Sequence, residues 1–262
     1  MPTISHLQAC KRNGEKFTVL TAYDASMAHF ISAAGVEAIL VGDSLGMAVQ
    51  GHSSTLPVTM DHMVYHTELV CRGNSQSLVI ADMPFASYNY LEQAVDNAAR
   101  LMQAGAHMVK MEGGSWLAPF VERMSQVGIP TCVHLGLTPQ SVNKFGGYKV
   151  QGRDTEHAQT ILDDAKLLQA AGADILLLEC VPAALAEQVT KALEIPVIGI
   201  GAGNVTDAQV LVINDMLGLT PGKTPKFSRN FLAETGSIQA AIAAYVAAVK
   251  DKSFPGSEHT FS

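Results

Sequence analysis

The chain has 262 residues, of which 48% are hydrophobic and 16% charged, against about 25% charged in an ordinary soluble protein. That pairing excludes a disordered chain, which combines low hydrophobicity with high charge. The formal net charge of −7, from 17 basic and 24 acidic residues, has the wrong sign for a polyanion binder, so nucleic acid is not an expected partner. No apolar run reaches the length of a membrane span, and the opening MPTISHLQACKRNGEK lacks the apolar core of a secretory signal, so a cytoplasmic protein without membrane partners is expected. Cys10, Cys71, Cys132 and Cys180 form no CxxC pair and read as small apolar residues.

Eight short apolar runs follow in chain order, and what stands at the end of each is informative. Phe17–Thr21 leads to Asp24 and the helical stretch ASMAHFISAA, which makes Asp24 a helix N-cap. Ala38–Gly42 leads to Asp43 and Ser44. The next helical stretch places His62 and His66 at i, i+4, but without an HExxH pattern or a third ligand they read as a solvated helix face. Leu78–Ala81 leads to Asp82, and Met108–Met111 carries Lys110 and reaches Glu112. Lys110 and Glu112 are two apart and share one strand face, with Met111 on the other. Thr131–Val133 leads to His134, and the loop NKFGGYKVQGR (143 to 153) holds Lys144, Lys149 and Arg153 without an acid. This loop has two readings: a grip on an anionic substrate or tail, or a solvated loop. Ile175–Leu178 leads to Glu179.

Val197–Ile200 opens the glycine-rich IGIGAGNVTDA (198 to 208). Its glycines run GxGxG, Asn204 stands where a dinucleotide fingerprint needs Gly or Ala, and the motif is on the seventh strand instead of the first. A phosphate-binding turn and a ligand-free tight turn both remain open there. After the last run, Val210–Ile213, the residues Ile238, Ala241, Ile242, Tyr245, Val246 and Val249 form an apolar helix face that packs on the domain or on a neighbouring subunit.

Continuous apolar runs suit strands buried on both faces of a parallel sheet, with helices as crossovers. The segments AAGVEAILVGD, QAGAHMVKME and QAAGADILLLE each end a helix at a glycine, enter a strand and finish on a carboxylate. Gly35, Gly105 and Gly172 suit the left-handed position just past a helix end. Their spacing is two βα units each time, and eight units of about 30 residues fill the chain as one (β/α)8 barrel domain, residues 1 to 262.

In a barrel the C-terminal strand ends carry the chemistry. Asp43, Asp82, Glu112 and Glu179 at successive ends would repel one another unless a cation neutralised them, and their hard oxygens suit Mg2+ better than Zn2+. Lys110, beside a carboxylate, reads as a protonated clamp on an anionic substrate in preference to a Schiff-base nucleophile.

Ten stretches together resemble the ketopantoate hydroxymethyltransferase family: TAYD (21 to 24), VGDSLGM (41 to 47), STLPVT (54 to 59), the Asp82 strand end, VKMEGG (109 to 114), HLGLTPQSVN (134 to 143), FGGYKVQGR (145 to 153), LLLECVP (176 to 182), PVIGIGAGN (196 to 204) and FLAETG (231 to 236). The resemblance implies a (β/α)8 barrel that transfers a hydroxymethyl group from 5,10-methylenetetrahydrofolate to 3-methyl-2-oxobutanoate, the first committed step of pantothenate biosynthesis. It further implies that Asp43, Asp82 and Glu112 bind Mg2+, that Asp43, Ser44, Asp82 and Lys110 bind the keto acid, that Glu179 is the proton acceptor, and that the subunits form a homo-oligomer, a decamer. Ser53, where an acid is often found, and TPGKTPKF (220 to 227) depart from the family pattern. The alternative reading is a metal-dependent carbon–carbon lyase or aldolase acting on another 2-keto acid without folate. A barrel serving only as a binding scaffold leaves the set of strand-end acids unexplained.

Overall fold

The structure is a computed structural model that describes Met1–Ser262. Eight strands close into a parallel barrel in chain order: β1 (Phe17–Thr21), β2 (Ala38–Val41), β3 (Leu78–Asp82), β4 (Met108–Glu112), β5 (Thr131–Gly136), β6 (Ile175–Glu179), β7 (Val197–Ile200) and β8 (Ala208–Leu211). Pairing of Phe17 to Leu20 with Ala208 to Leu211 closes the ring. The longer helices are α1 (Ile4–Asn13), α2 (Ala25–Ala33), α3 (Met60–Gly73), α4 (Leu91–Gln103), α5 (Ala118–Gln126), α6 (Thr155–Ala170), α7 (Ala183–Ala192) and α8 (Ile238–Lys250). This is the expected (β/α)8 barrel, and a closed sheet excludes a doubly wound dinucleotide fold.

Strand alternation divides the apolar residues into two layers. Phe17, Val19, Ala38, Leu40, Met108, Cys132, Ile175 and Val210 fill the barrel interior. Leu20, Ile39, Val79, Val109, Met111 and Leu176 face outward and pack against the helices. The pleat thus sends Met111 out and Lys110 and Glu112 in. β3, β4 and β6 each run through their terminal carboxylates, so Asp82, Glu112 and Glu179 are aimed by strand geometry and not by loops.

Two departures from the sequence expectation have local causes. β8 begins at Ala208 and ends at Leu211, two residues before the apolar run. Gln209 hides its start, but inside the fold its Nε2 donates to Gly203 O and Thr206 Oγ1, each at 2.9 Å. The β7-to-β8 crossover, residues 201 to 207, contains no helix. Gly201 and Gly203 take it round at φ +61° and +74°, where a Cβ would be strained.

The bottom of the barrel is closed by α1, whose Leu7 and Cys10 join the interior cluster. Lys11 Nζ donates to Asp207 Oδ2 and Thr190 O, both at 2.8 Å, tying the plug to the wall. On the outside, α8 carries the predicted apolar face, and it packs on the barrel. Its Tyr245 hydroxyl lies 3.0 Å from Val19 O and 2.9 Å from Gln209 O, spanning the β1–β8 seam. Gly35, Gly105 and Gly172 have φ of +79°, +109° and +107°, as the three-fold sequence repeat requires. No helix is long and apolar enough to cross a membrane.

Gly73, at the end of α3, permits the close crossing on α2: a Cβ there would lie 2.0 Å from Ala25 O. Gly73→Ala is expected to destabilise the fold by about 1–3 kcal/mol, the range for overpacking a tight contact, read as a lower urea midpoint. An unchanged midpoint would show that α2 and α3 do not depend on this close approach.

Candidate active site

One cavity of about 530 Å3 opens at the C-terminal mouth of the barrel, and Asp43, Ser44, Asp82, Lys110, Glu112 and Glu179 all line it. The structure therefore brings together every site residue expected from sequence. Asp24 stays outside, accepting a 2.9 Å hydrogen bond from Met27 N as a helix N-cap. His62 and Thr59 form a capping box at the start of α3, and the His66 ring is hydrogen-bonded to Tyr23 O at 2.6 Å. Neither histidine belongs to a metal-binding group. Lys144, Lys149 and Arg153 are exposed. None of the three lines the cavity, although Tyr148 of the same loop does. All four cysteines are free thiols.

The centre of the site is Lys110. Its ammonium lies 2.8 Å from Asp82 Oδ1 and 3.5 Å from Glu112 Oε1, with all three side chains at most 4% exposed. Burial alone would lower the lysine pKa, but the charges of Asp82, Glu112 and Asp43 outweigh it and hold the pKa well above the usual value. Lys110 is thus a fixed cation. Glu112 is held below the usual carboxylate range: burial opposes its charge, while Lys110 and His134 favour it more strongly.

His134 stands between two carboxylates, with Nδ1 3.3 Å from Glu112 Oε1 and Nε2 3.4 Å from Glu179 Oε2. Neither ring nitrogen is aligned for a hydrogen bond, so these are ion-pair contacts. Burial would depress the imidazole pKa, but Glu112 and contact with Glu179 push it up to about 9. Asp43 is the odd carboxyl. Burial first, then Asp82 and Glu112, raise its pKa well above the usual range.

Local backbone features set these positions. Asp43 N donates to Asp82 Oδ2 at 2.9 Å, joining the ends of β2 and β3. Gly136, at φ +87°, lets the end of β5 approach β6: a Cβ there would fall 2.3 Å from Glu179 O. Leu137 N donates to that same carbonyl at 2.8 Å, which fixes the backbone that carries Glu179.

Sequence reasoning did not single out Gln140, the polar hub of the site. Its backbone N donates to Glu112 Oε2 at 3.0 Å, while its Nε2 donates to Asp43 Oδ2 at 2.9 Å and to Met83 O at 3.0 Å. Its Oε1 accepts from the Tyr88 hydroxyl, which in turn accepts from Glu112 N. Gln140 sits in a single 3-10 turn, Pro139–Ser141, after β5, too short for any periodicity to mark it. Pro139 beside it was the one available signal.

The hard oxygens of Asp43, Asp82 and Glu112 suit a Mg2+ ion, which commonly takes one or two carboxylates and completes its shell with water and substrate oxygens. Asp82 Oδ1 is buried without an aligned hydrogen bond although Lys110 is near, which leaves it able to ligate. No three His, Cys, Asp or Glu side chains converge as a finished all-protein metal centre. The residues therefore fit a shared protein–substrate site.

A closed eight-stranded barrel with a buried cluster of acids and a lysine at its C-terminal mouth defines a barrel enzyme. The sequence profile of ketopantoate hydroxymethyltransferase matches residues 2–257. The chain is 61% identical over 259 residues to the 3-methyl-2-oxobutanoate hydroxymethyltransferase of Marinobacter nauticus, covering 99% of this chain and 98% of that one. It is 59% identical over 260 residues to the Shewanella loihica protein of the same name, with the same coverage. Among solved structures, a phosphonomutase homologue from Burkholderia cenocepacia superposes with a TM-score of 0.64 at 17% identity, covering 82% of this chain and 94% of that one, which shows the shared fold. The chain belongs to the ketopantoate hydroxymethyltransferase family and is a hydroxymethyltransferase.

Gln140→Leu would leave Asp43 Oδ2, Met83 O and the Tyr88 hydroxyl without their partner in a buried setting. The expected loss of stability is at least about 2 kcal/mol, since each orphaned buried polar group costs about 1–3 kcal/mol. Urea unfolding checks it, and a wild-type midpoint would remove Gln140 from the centre of the network.

Proposed function

We propose that the enzyme joins 3-methyl-2-oxobutanoate to the one-carbon unit of 5,10-methylenetetrahydrofolate, giving 2-dehydropantoate and tetrahydrofolate with consumption of one water. The observation that supports this most is the buried cluster of Asp43, Asp82, Lys110 and Glu112, with Glu179 in the same cavity at 15% side-chain exposure. Lys110 is already paired with Asp82 and Glu112, so the carboxylate of an incoming keto acid adds negative charge to a site whose own cations are engaged. A divalent cation held by Asp43, Asp82 and Glu112 relieves that excess. When bound, Mg2+ supplies Lewis-acid polarisation of the keto oxygen.

Glu179 is the general base in this reading. It is the carboxylate least enclosed by the Lys110 cluster, and its Oε atoms accept the C3 proton of the keto acid. His134 and the Gly136–Leu137 backbone hold Glu179 in place, so the base is oriented before substrate arrives. Ser44, whose Oγ is 2.8 Å from the Tyr23 hydroxyl, offers a neutral hydrogen bond to the substrate carboxylate. Water cleaves the methylene from N5 and N10, releasing tetrahydrofolate and a formaldehyde equivalent; the carbanion equivalent at C3 adds to its carbonyl carbon, and the resulting alkoxide takes the proton held by Glu179.

Solvent exchange isolates the proton-transfer step. Wild-type enzyme with Mg2+ is expected to exchange the C3 hydrogen of 3-methyl-2-oxobutanoate with D2O without folate, and EDTA is expected to stop it. Glu179→Gln should lower the exchange rate by about 10²–10⁴-fold, the usual weight of a general base, with keto-acid binding still measurable. Undiminished exchange in that variant would overturn the base assignment. Product formation indifferent to methylenetetrahydrofolate would favour a folate-independent lyase or aldolase instead.

A further inference from the structure

The cavity is much larger than a five-carbon keto acid needs; about 530 Å3 is in the range that encloses a drug-sized ligand. The cluster around Lys110 occupies its β2–β4 side. Beyond β1 from it, just after β8, the short helix Ile213–Met216 presents Asn214 and Asp215 to the same cavity. Asp215 is 6% exposed. Its Oδ1 accepts from the Thr220 hydroxyl, while its Oδ2 has no hydrogen bond and the carboxylate has no basic partner within the chain. The Asn214 amide also has no hydrogen-bond partner in the chain.

A carboxylate buried without a cation is costly unless N–H or O–H donors satisfy it. Burial raises the Asp215 pKa, in keeping with a group whose partner comes from outside the chain. Thr220 uses one lone pair of Oδ1, so the carboxylate can still take two donors in one plane. We propose that Asp215 and Asn214 form the subsite for the 2-amino-4-oxopterin ring of the one-carbon donor. The ring's N3–H and 2-amino group are adjacent donors that match a carboxylate edge, and the neighbouring O4 faces the Asn214 amide. This rests on the folate reading above. The reacting methylene bridges N5 of the pterin and N10, so the ring must lie in the same cavity as the keto acid, and the wall that follows β8, beyond the acids of β2–β4, takes its distal edge. Leu40, Leu177, Ile200 and Val210 supply apolar surface between the two ends.

The test compares binding of tetrahydrofolate with that of its 2-desamino-2-methyl analogue, by calorimetry on the full-length enzyme. Wild type is expected to prefer tetrahydrofolate by about tenfold or more, because the analogue leaves a buried charged acceptor unpaired. Asp215→Asn should shrink that preference by weakening tetrahydrofolate more than the analogue, which keeps only N3–H, and Asn214→Ala should weaken both ligands alike. Thr220→Val removes the internal contact but keeps the carboxylate, so it should retain the preference; its loss would assign Asp215 a structural role in the loop. Equal binding of the two pteridines by wild type would overturn the proposal even if Asp215→Asn did not fold. Failure of wild type to bind either one would instead overturn the folate reading.

Discussion

The site depends on one buried ammonium. Lys110 lies against Asp82 and Glu112 with almost no solvent contact, and removing it would leave two carboxylates facing each other in a low-dielectric interior. Parallel pairing of Asp82 with Lys110 and of Glu112 with His134 places alternating charges on adjacent strand ends. The barrel thus generates the electrostatic order of the site from sheet register alone. Asp43 lies just beyond its strand and is brought in by its own backbone N–H, which donates to Asp82.

A charged cluster of this kind keeps a definite shape only if its remaining lone pairs are satisfied. Gln140 does this from the turn after β5, reaching groups just past β2 and β3 and at the end of β4 at once. Its amide donates to Asp43, whose pKa burial raises well above the usual range, so the network stabilises this carboxyl by hydrogen bonding where ion pairing is already used. Lys110 and His134 balance Asp82 and Glu112. Within the cluster Asp43 makes no ion pair of its own, and Glu179 touches only His134, at 3.4 Å.

The fold was legible because a parallel barrel buries both faces of each strand, whereas a sheet with one wet face would have broken runs such as Ile175–Leu178 with alternating polar residues. The strand-end acids were legible for the converse reason: in a chain so short of charge, Asp82, Glu112 and Glu179 interrupt apolar runs at the same relative place. β8 was misread by two residues because Gln209 is polar yet buried, with its amide satisfied by Gly203 and Thr206. Gln140 and Asp215 escaped because they sit on single helical turns, Pro139–Ser141 and Ile213–Met216, too short for any period to mark them. Lys110 was expected to face the substrate. It lines the cavity, but its nearest contacts are the protein's own carboxylates, a distinction that spacing along one strand does not carry.

The glycine-rich turn after β7 left two readings open, and packing decides between them. A Cβ at Gly201 would lie 2.9 Å from Phe227 and 3.1 Å from Phe261, and one at Gly203 would lie 2.9 Å from Ala183. The turn is covered by the chain's own aromatic side chains and by its C-terminal segment, whose Phe261 O accepts from Ala183 N at 3.1 Å. Both glycines are therefore accounted for by positive φ and close contact, with no anion required. Many barrels hold a phosphate at this position; here Phe227 and Phe261 pack against Gly201. Phe227 also lines the cavity, so the surface that would otherwise attract an anion is apolar. Apart from Lys223 on the variable loop, the lysine lining the cavity is Lys110, on the opposite side of the barrel mouth. The ion-paired lysine is thus at the β2–β4 end, while Asn214, Asp215 and Lys223 line the part of the cavity that follows β8.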